Sequence, residues 1–198
     1  MISAHRRLPE PWHLSAAFAG ATVIGVTLWL WGQPLICTCG EVKLWVGSVF
    51  SEGNSQHVAD WYTLSHMIHG MLVVLTGRLI LGQPPFTLLF AIAVVTGIAW
   101  EIVEHTDWVL DQFRATTIYQ GYIGDSVLNA VADYLWMLLG FFLANALRTV
   151  WVVAVILALE VVATVTARDS LTLTTLMLVY PVEAVETWQQ AINPSRQG

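Results

Sequence analysis

The 198-residue chain is 56% hydrophobic and only 11% charged, with a mean hydropathy of +0.64. Soluble domains carry about 25% charged residues, so this composition predicts an integral membrane protein. The net charge is -6 and no run of lysine or arginine is present, which argues against a nucleic-acid partner because phosphate binding needs clustered cations. We therefore expect membrane lipid as a partner and no nucleic acid.

Five apolar stretches are long enough to span a bilayer as helices, which takes about 20 residues each. The second and third are separated by Gln83-Pro84-Pro85, which predicts a helical hairpin because proline breaks helices. A sixth apolar run is too short to span and is expected to be interfacial or re-entrant. The predicted spans are residues 14–36, 61–82, 86–105, 125–147 and 150–167, and the short run is residues 171–182.

These stretches predict an all-α fold, a polytopic transmembrane helical bundle. No internal repeat or long linker divides the sequence, so we expect one integral membrane domain over residues 1–198. Residues 106–124 are polar and are expected to form a loop between the third and fourth spans. The tail from Glu183 shows no clear period.

Helices joined by short turns alternate in direction, which predicts that most ionisable residues lie on one membrane face. Four polar side chains from three spans lie at a similar depth, roughly 6 to 12 Å inside their helix ends at 1.5 Å per residue: His66, His69, Glu101 and Asn129. We expect them to meet at one level. Two deeper acids, Asp133 and Glu160, are expected either to share a proton or to extend this site inward.

Histidine and carboxylate side chains inside hydrocarbon need partners, because an unpaired charge there is costly. Imidazole nitrogen and carboxylate oxygen together suit a divalent metal such as zinc, manganese or iron. His66 and His69 are spaced i,i+3, as are Glu101 and Glu104, so each pair shares a helical face. We interpret these four residues as candidate metal ligands. The alternative is that they hydrogen-bond to one another in a purely structural cluster.

Further polar residues on the same face predict a catalytic and supporting shell. The candidates for general acid, general base or activation of water are Asp60, His105 and Asp125. The candidates for outer partners are His57, Asn129, Arg168 and Asp169. The absence of a His-Glu-x-x-His motif argues against a zincin-type protease.

Cys37-Thr-Cys39 matches neither the zinc-ribbon nor the thioredoxin pattern. On an oxidising face the pair predicts a disulfide, which we favour; on a reducing face it would be two thiols or metal ligands. Arg6 and Arg7 flank the first span, and the positive-inside rule then predicts a cytoplasmic N-terminus. The polar face would be periplasmic.

A set of ordered motifs resembles a known bacterial group. The motifs are Ile36-Cys-Thr-Cys-Gly40, Val42-Lys-Leu-Trp45, Asn54-Ser-Gln-His57, Asp60-Trp-Tyr-Thr63, Ser65-His66-x-x-His69-Gly70, Trp100-Glu101-x-x-Glu104, Gly124-Asp125-Ser126 with Asn129, and Arg168-Asp169-x-Leu-Thr-Leu173. They resemble Uncharacterised Protein Family 0314, a family of multipass proteins of the bacterial inner membrane. The chain departs from that pattern at residues 51–53, at Ser170 and at Thr174. The resemblance implies localisation in the cell inner membrane but no activity.

A more distant likeness to VanZ-like membrane families rests on the spacing of polar positions at residues 60–66, Glu101 and Asp125-x-x-x-Asn129. That likeness implies lipid or envelope chemistry. The sequence thus favours a metal-dependent membrane enzyme that acts on a lipid or envelope precursor at the outer leaflet. A hydrolase is one form of this hypothesis. The alternative is a non-catalytic protein that assists assembly or binds a partner through a structural polar cluster. A transporter fits less well, because five spans without inverted repeats are unlike known carriers.

Overall fold

The computed structural model describes residues 10–119 and 121–194, and all regular structure in these residues is α-helical. The helices are α1 (Pro11–Leu30), α2 (Tyr62–Leu81), α3 (Phe86–Glu104), α4 (Asp107–Thr116), α5 (Val127–Ala146), α6 (Thr149–Ala167), α7 (Leu171–Val179) and α8 (Glu183–Gln190). Five of them, α1, α2, α3, α5 and α6, are long and apolar enough to cross a membrane. The predicted polytopic helical bundle is confirmed.

The first span ends earlier than the sequence predicts, at Leu30 instead of residue 36. Gly32 has a φ of +93°, a left-handed conformation that ends a helix. The chain then passes the start of α5, where the carbonyls of Pro34 and Leu35 accept hydrogen bonds from Val127 N (2.8 Å) and Leu128 N (3.1 Å). These contacts satisfy backbone donors that the first turn of α5 leaves free. The other four spans agree with the predicted bounds to within two residues.

The prediction that residues 106–124 form a loop is wrong for α4. This helix is amphipathic: Val109, Leu110 and Phe113 are buried with Tyr122, while Asp111 stays exposed. A short helix with one apolar face needs a surface to pack on, and the turn at Tyr122 supplies it. The tail likewise forms α8, in which Gln189 and Gln190 are buried.

Two glycines bring α2 and α5 into backbone contact. A Cβ atom on Gly70 would overlap the carbonyl oxygen of Met137, and one on Gly140 would overlap that of Met67. Small residues allow this close approach between membrane helices. The contact sets the rotation of α2 against α5, and so decides which α2 side chains face α5.

Arg78 joins the same two helices at the opposite end of the bundle. Its guanidinium donates to the carbonyl oxygens of Leu147 (3.0 Å) and Asn145 (3.2 Å). A cation at a helix C-terminus offsets the partial negative charge of the free carbonyls there. The side chain thus satisfies two backbone carbonyls at the end of α5.

We predict that Gly70→Ala lowers the thermal stability of the protein in detergent, because the added methyl group must push α2 away from α5. Overpacking of this kind costs about 1–3 kcal/mol. Gly25→Ala is the matched control, since its Cβ would lie 3.5 Å from the nearest atom, Val127 Cγ1, at ordinary contact distance. Equal melting temperatures for the two variants would contradict the close-contact interpretation.

Candidate functional site

The loop before α2 is buried and polar, and it is docked onto the start of α5. Gln56 Nε2 donates to the carbonyl oxygen of Gly124 (2.9 Å), and Ser126 Oγ donates to the carbonyl oxygen of Gln56 (3.1 Å). Asn129 Nδ2 donates to the carbonyl oxygen of His57 (2.7 Å). His57 and Asn129, predicted as outer partners, therefore hold this loop in place.

Asp60 holds the entrance to α2. Its Oδ2 accepts a hydrogen bond from Ser55 N (2.7 Å), and its Oδ1 accepts one from Tyr62 N (2.8 Å). Burial raises the pKa of Asp60 to about 6, although these backbone donors favour the ionised form. Asp60 is not among the residues that line the cavity described next. Both carboxylate oxygens of this predicted catalytic residue therefore accept hydrogen bonds from backbone N–H groups.

A small cavity of about 40 Å³ lies beneath this loop, between α2, α3, α5 and α7. That volume holds a few water molecules, or one ion with water. The lining is polar and aromatic on most sides. It consists of Ser55, Tyr62, Ser65, His66, His69, Trp100, Glu104, Phe113, Thr117, Tyr119, Tyr122, Asp125, Asp133, Leu171 and Thr174.

His66 lies between carboxylates from two other helices. Its Nδ1 is 3.5 Å from Glu101 Oε1 on α3, and its Nε2 is 3.7 Å from Asp133 Oδ2 on α5. One ligand atom each from His66, Glu101 and Glu104 lies within 4.8 Å of the others. The Oε2 atoms of both glutamates are buried and have no hydrogen-bond partner in the described part of the chain. Three of the four predicted metal ligands are thus brought together.

His69, the fourth predicted ligand, lies outside this group. Its ring centroid is 5.9 Å from that of His66 and 5.4 Å from that of Trp100, with the rings edge to face. The i,i+3 spacing places both histidines on one side of α2 but separates them by a helical turn. His69 therefore stands at the lower edge of the cavity.

Asp133, one of the two acids predicted to lie deeper, belongs to the cluster around His66. Thr63 Oγ1 donates to Asp133 Oδ1 (3.4 Å), and the other carboxylate oxygen faces His66. Asp133 lies nearer the start of its helix than predicted, because α5 begins at Val127, two residues later than expected. The i,i+4 spacing from Asn129 to Asp133 was the available signal. Glu160 lies elsewhere and accepts a hydrogen bond from Thr172 N (3.2 Å).

His105 cross-links the end of α3 to the start of α5. Its Nδ1 lies 2.7 Å from the carbonyl oxygen of Glu101, which can only accept, so Nδ1 carries the proton. Its Nε2 accepts a hydrogen bond from Asp125 N (2.9 Å). Glu101, His105 and Asp125 also offer three ligand atoms within 4.8 Å of one another, but both nitrogens of this ring are already occupied.

Asp125 keeps one oxygen free beside the cavity. Tyr122 OH donates to its Oδ1 (2.7 Å), while Oδ2 is buried without a hydrogen-bond partner among the residues described. Burial raises the pKa of Asp125, and the hydrogen bond from Tyr122 and the nearby His105 oppose that rise. Asp125 is thus the predicted catalytic residue best placed to exchange a proton with a group in the cavity. Tyr122 was not singled out by sequence reasoning, because nothing in a loop pattern indicates which side chain turns inward.

Asp169 does not line the cavity itself but hydrogen-bonds to Tyr62 and Thr174, which do. It accepts hydrogen bonds from Tyr62 OH (3.1 Å), Ser170 N (2.9 Å) and Thr174 Oγ1 (3.0 Å). Arg168, which has a left-handed φ of 53°, places its guanidinium 5.1 Å from the Trp188 ring centroid and away from the cavity lining. These two predicted outer partners fasten α7 and α8 to the bundle.

Cys37 and Cys39 form a disulfide in the structure, with Cα atoms 5.2 Å apart. His57 lies close enough for its ring nitrogen to fall within 4.8 Å of both sulfur atoms. His57 Nδ1 also accepts a hydrogen bond from Lys43 N (3.2 Å), which joins the two parts of the loop. The loop above the site is thus tied together at several points.

The fold and the cavity define a class of protein, a polytopic α-helical membrane protein with a buried histidine and carboxylate cluster. The chain belongs to the family described as Protein of unknown function (DUF2585), which matches residues 28–191. A UPF0314 protein of Paracoccus denitrificans is 47% identical over 86% of this chain and 89% of its own length. One of Brucella anthropi is 39% identical over 97% of this chain and 98% of its own. The predicted membership of Family 0314 is confirmed, and no solved structure matches the chain.

We predict that protonation of Asp169 stabilises the folded protein. Burial raises the pKa of Asp169 to about 6, above its ordinary value of 3.8. The folded chain therefore binds a proton that the unfolded chain has already released, and stability falls as the pH rises from 5 to 7. The loss amounts to about 1 kcal/mol. Asp169→Asn removes this contribution, so the difference in melting temperature, parent minus variant, should shrink between pH 5 and pH 7. A constant difference would contradict the assignment.

Proposed function

We propose that this protein is a metal-dependent enzyme of the bacterial inner membrane, a hydrolase that acts on a lipid or envelope precursor. One observation carries the proposal. Ligand atoms of His66, Glu101 and Glu104 converge within 4.8 Å, and two of the carboxylate oxygens there are buried without a partner. Leaving buried polar atoms unpaired costs free energy, and a bound cation offsets that cost.

The balance of charge supports a divalent ion. Glu104, Asp125 and Asp133 line the cavity and Glu101 lies beside it, whereas the lining residues in the described chain include no lysine or arginine. One imidazole nitrogen and two carboxylate oxygens form a ligand set that zinc, manganese and iron accept. Three protein ligands would leave room for water or substrate to bind the ion, as catalytic sites require.

The residues around the three candidate ligands, His66, Glu101 and Glu104, have separate chemical tasks. A divalent ion at this position would polarise the substrate and make bound water more acidic. Asp125 Oδ2 would take the proton, since it is buried beside the cavity without a hydrogen-bond partner and burial raises the pKa of this carboxyl group. Tyr122 OH holds the other oxygen of Asp125 in place. Asp133 lies against Nε2 of His66, which leaves Nδ1 directed at Glu101 for metal binding.

A periplasmic site is part of the proposal. Arg78 and Arg148 lie at the end of the bundle opposite the cavity, and Lys43, Arg114 and Arg168 lie at the cavity end, so these cations favour neither orientation. The assignment rests on the two arginines before the first span, because cations that flank the first helix favour the cytoplasm. Those two arginines, Arg6 and Arg7, lie outside the described residues. The relatives of the chain are bacterial proteins, in keeping with an inner-membrane location.

A non-catalytic role is the second candidate, and a specific observation favours it. Side-chain hydrogen bonds fasten loops to helices at three of the predicted site residues, Asp60, His105 and Asn129. If the whole cluster did only this, its members would be needed for folding but not for binding metal. The two candidates therefore differ in what Glu101 variants lose.

We predict that protein purified without chelators contains one divalent metal ion per chain, measured by inductively coupled plasma mass spectrometry. His66→Ala and Glu101→Gln should lose most of it, because each removes a ligand. Glu160→Gln is the matched control, since Glu160 is a partly buried carboxylate on α6 outside the cavity. Metal-free parent protein, or folded variants that keep the parent's metal content, would overturn the proposal in favour of the non-catalytic role.

The variant Asp133→Asn tests whether Asp133 orients His66 for metal binding without binding the metal itself. Loss of a partner that orients a metal-binding histidine weakens metal affinity by about 10- to 100-fold. We expect a shift of this size in a competition titration with a chromogenic chelator, with a melting temperature close to that of the parent. An unchanged affinity in a folded variant would show that Asp133 does not act through His66.

A further inference from the structure

A groove of about 480 Å³ runs along the outside of the bundle between α2 and α3 and meets the polar cavity at one end. Leu72, Val73 and Ile92 contribute to its mostly aliphatic lining. At the far end, Ile80 is 75% exposed and Leu81 is 54% exposed, so the groove opens toward the surrounding membrane. It is a site that the proposed catalytic cluster does not use.

Short side chains create the groove. Its middle is lined by Thr76 on α2 and by Thr96 on α3, where longer residues would fill the space between the helices. The neighbouring face of α2 packs closely on α5 through Gly70. The tight packing on one side of α2 and the small residues on the other leave an open channel toward α3.

The dimensions of the groove fit one extended hydrocarbon chain. From His69 to Leu81 the helix rises roughly 18 Å at 1.5 Å per residue. A single leaflet of hydrocarbon is roughly 15 Å deep, half of the bilayer core. The groove is therefore about as long as the acyl chain of a membrane lipid and lies along the helix axes, the direction in which such chains extend.

The two ends of the groove differ, because one end meets the polar cavity. His69 and Trp100 line both spaces, so the groove meets the polar cavity at this end. Within the described residues, His69 has ring contacts with His66 and Trp100 but makes no hydrogen bond, which leaves its imidazole available to a ligand. A molecule that occupies both regions must carry a polar group next to a long apolar chain.

We propose that the groove binds one acyl chain of a membrane glycerolipid and places the ester end of that chain at the His69–Trp100 junction. The assignment rests on the proposed function in so far as the lipid is a substrate, because the junction lies beside His66 and the candidate metal ligands. His69 then contacts the lipid instead of completing the metal site, which accounts for its position outside the three candidate ligands. The groove holds the apolar chain, and the polar cavity receives the reacting group.

Photochemical cross-linking tests this proposal. The full-length protein is reconstituted in phosphatidylcholine vesicles that contain a small fraction of phosphatidylglycerol with a diazirine in one acyl chain. Cross-linked peptides are then mapped by mass spectrometry after irradiation. We expect cross-links concentrated on the groove residues of α2 and α3. Labelling spread around the bundle according to exposure would mean that the lipid is only a solvent, and would overturn the proposal.

Paired variants on α2 and α3 distinguish lipid bound in the groove from lipid that contacts the outer surface of the bundle. Thr76→Trp fills the groove and should lower cross-linking by roughly tenfold, the loss expected from overpacking a site. Leu79→Trp is the matched control, because Leu79 is 73% exposed on α2 and does not line the groove. Thr96→Trp and Val95→Trp form a second pair on α3, in case one variant fails to fold. Equal effects within both pairs would contradict the proposal.

Two further measurements separate this inference from the metal hypothesis. Metal content of Thr76→Trp should match the parent, because the groove variant leaves the ligands intact. If the parent contains no metal but groove cross-linking persists, the hydrolase proposal fails and the acyl-chain site stands. A polyprenyl phosphate is added as competitor in a separate arm. If it displaces the diazirine lipid more effectively than unlabelled phosphatidylglycerol, the assignment to an acyl chain is wrong.

Discussion

Burial of several carboxyl groups inside a membrane-spanning bundle is the constraint on which the rest of this structure depends. Glu101, Glu104, Asp125 and Asp133 are all buried around His66. Ionised carboxylates in such surroundings cost several kcal/mol each unless a cation, a proton or hydrogen-bond donors offset the charge. Loop donors serve Asp60, and Tyr122 serves one oxygen of Asp125, but several oxygens stay unpaired. At those oxygens a cation, a proton or a hydrogen-bond donor must offset the buried charge, and we propose a metal ion there.

The helical scaffold explains why that requirement lies where it does. Backbone contact at Gly70 turns one side of α2 toward α5 and brings His66 opposite Asp133. The same rotation leaves His69 toward α3, at the junction between the polar cavity and the apolar groove. One packing contact thus separates two neighbouring histidines into different surroundings, the first among carboxylates and the second beside hydrocarbon.

Length and hydropathy were sufficient to predict the five spans, since a long apolar run has few alternatives in a membrane protein. Alternation of the spans also predicted that His66, Glu101 and Glu104 share one end of the bundle. The sequence did not distinguish His66 from His69, because their different surroundings depend on the contact between Gly70 and Met137 on a distant helix. It also missed α4, whose charged residues conceal the buried face of Val109 and Phe113. Tyr122 enters the site through a loop conformation that no periodicity indicates.

Anomalous X-ray diffraction would test the central claim most directly. Crystals of the protein purified without chelators are measured above and below the absorption edges of zinc, iron and manganese. The account predicts one anomalous peak between the side chains of His66, Glu101 and Glu104, with Asp133 facing the other nitrogen of His66. A metal-replete crystal with no peak at that position, or with its only peak beside His57 and the two cysteines, would contradict it.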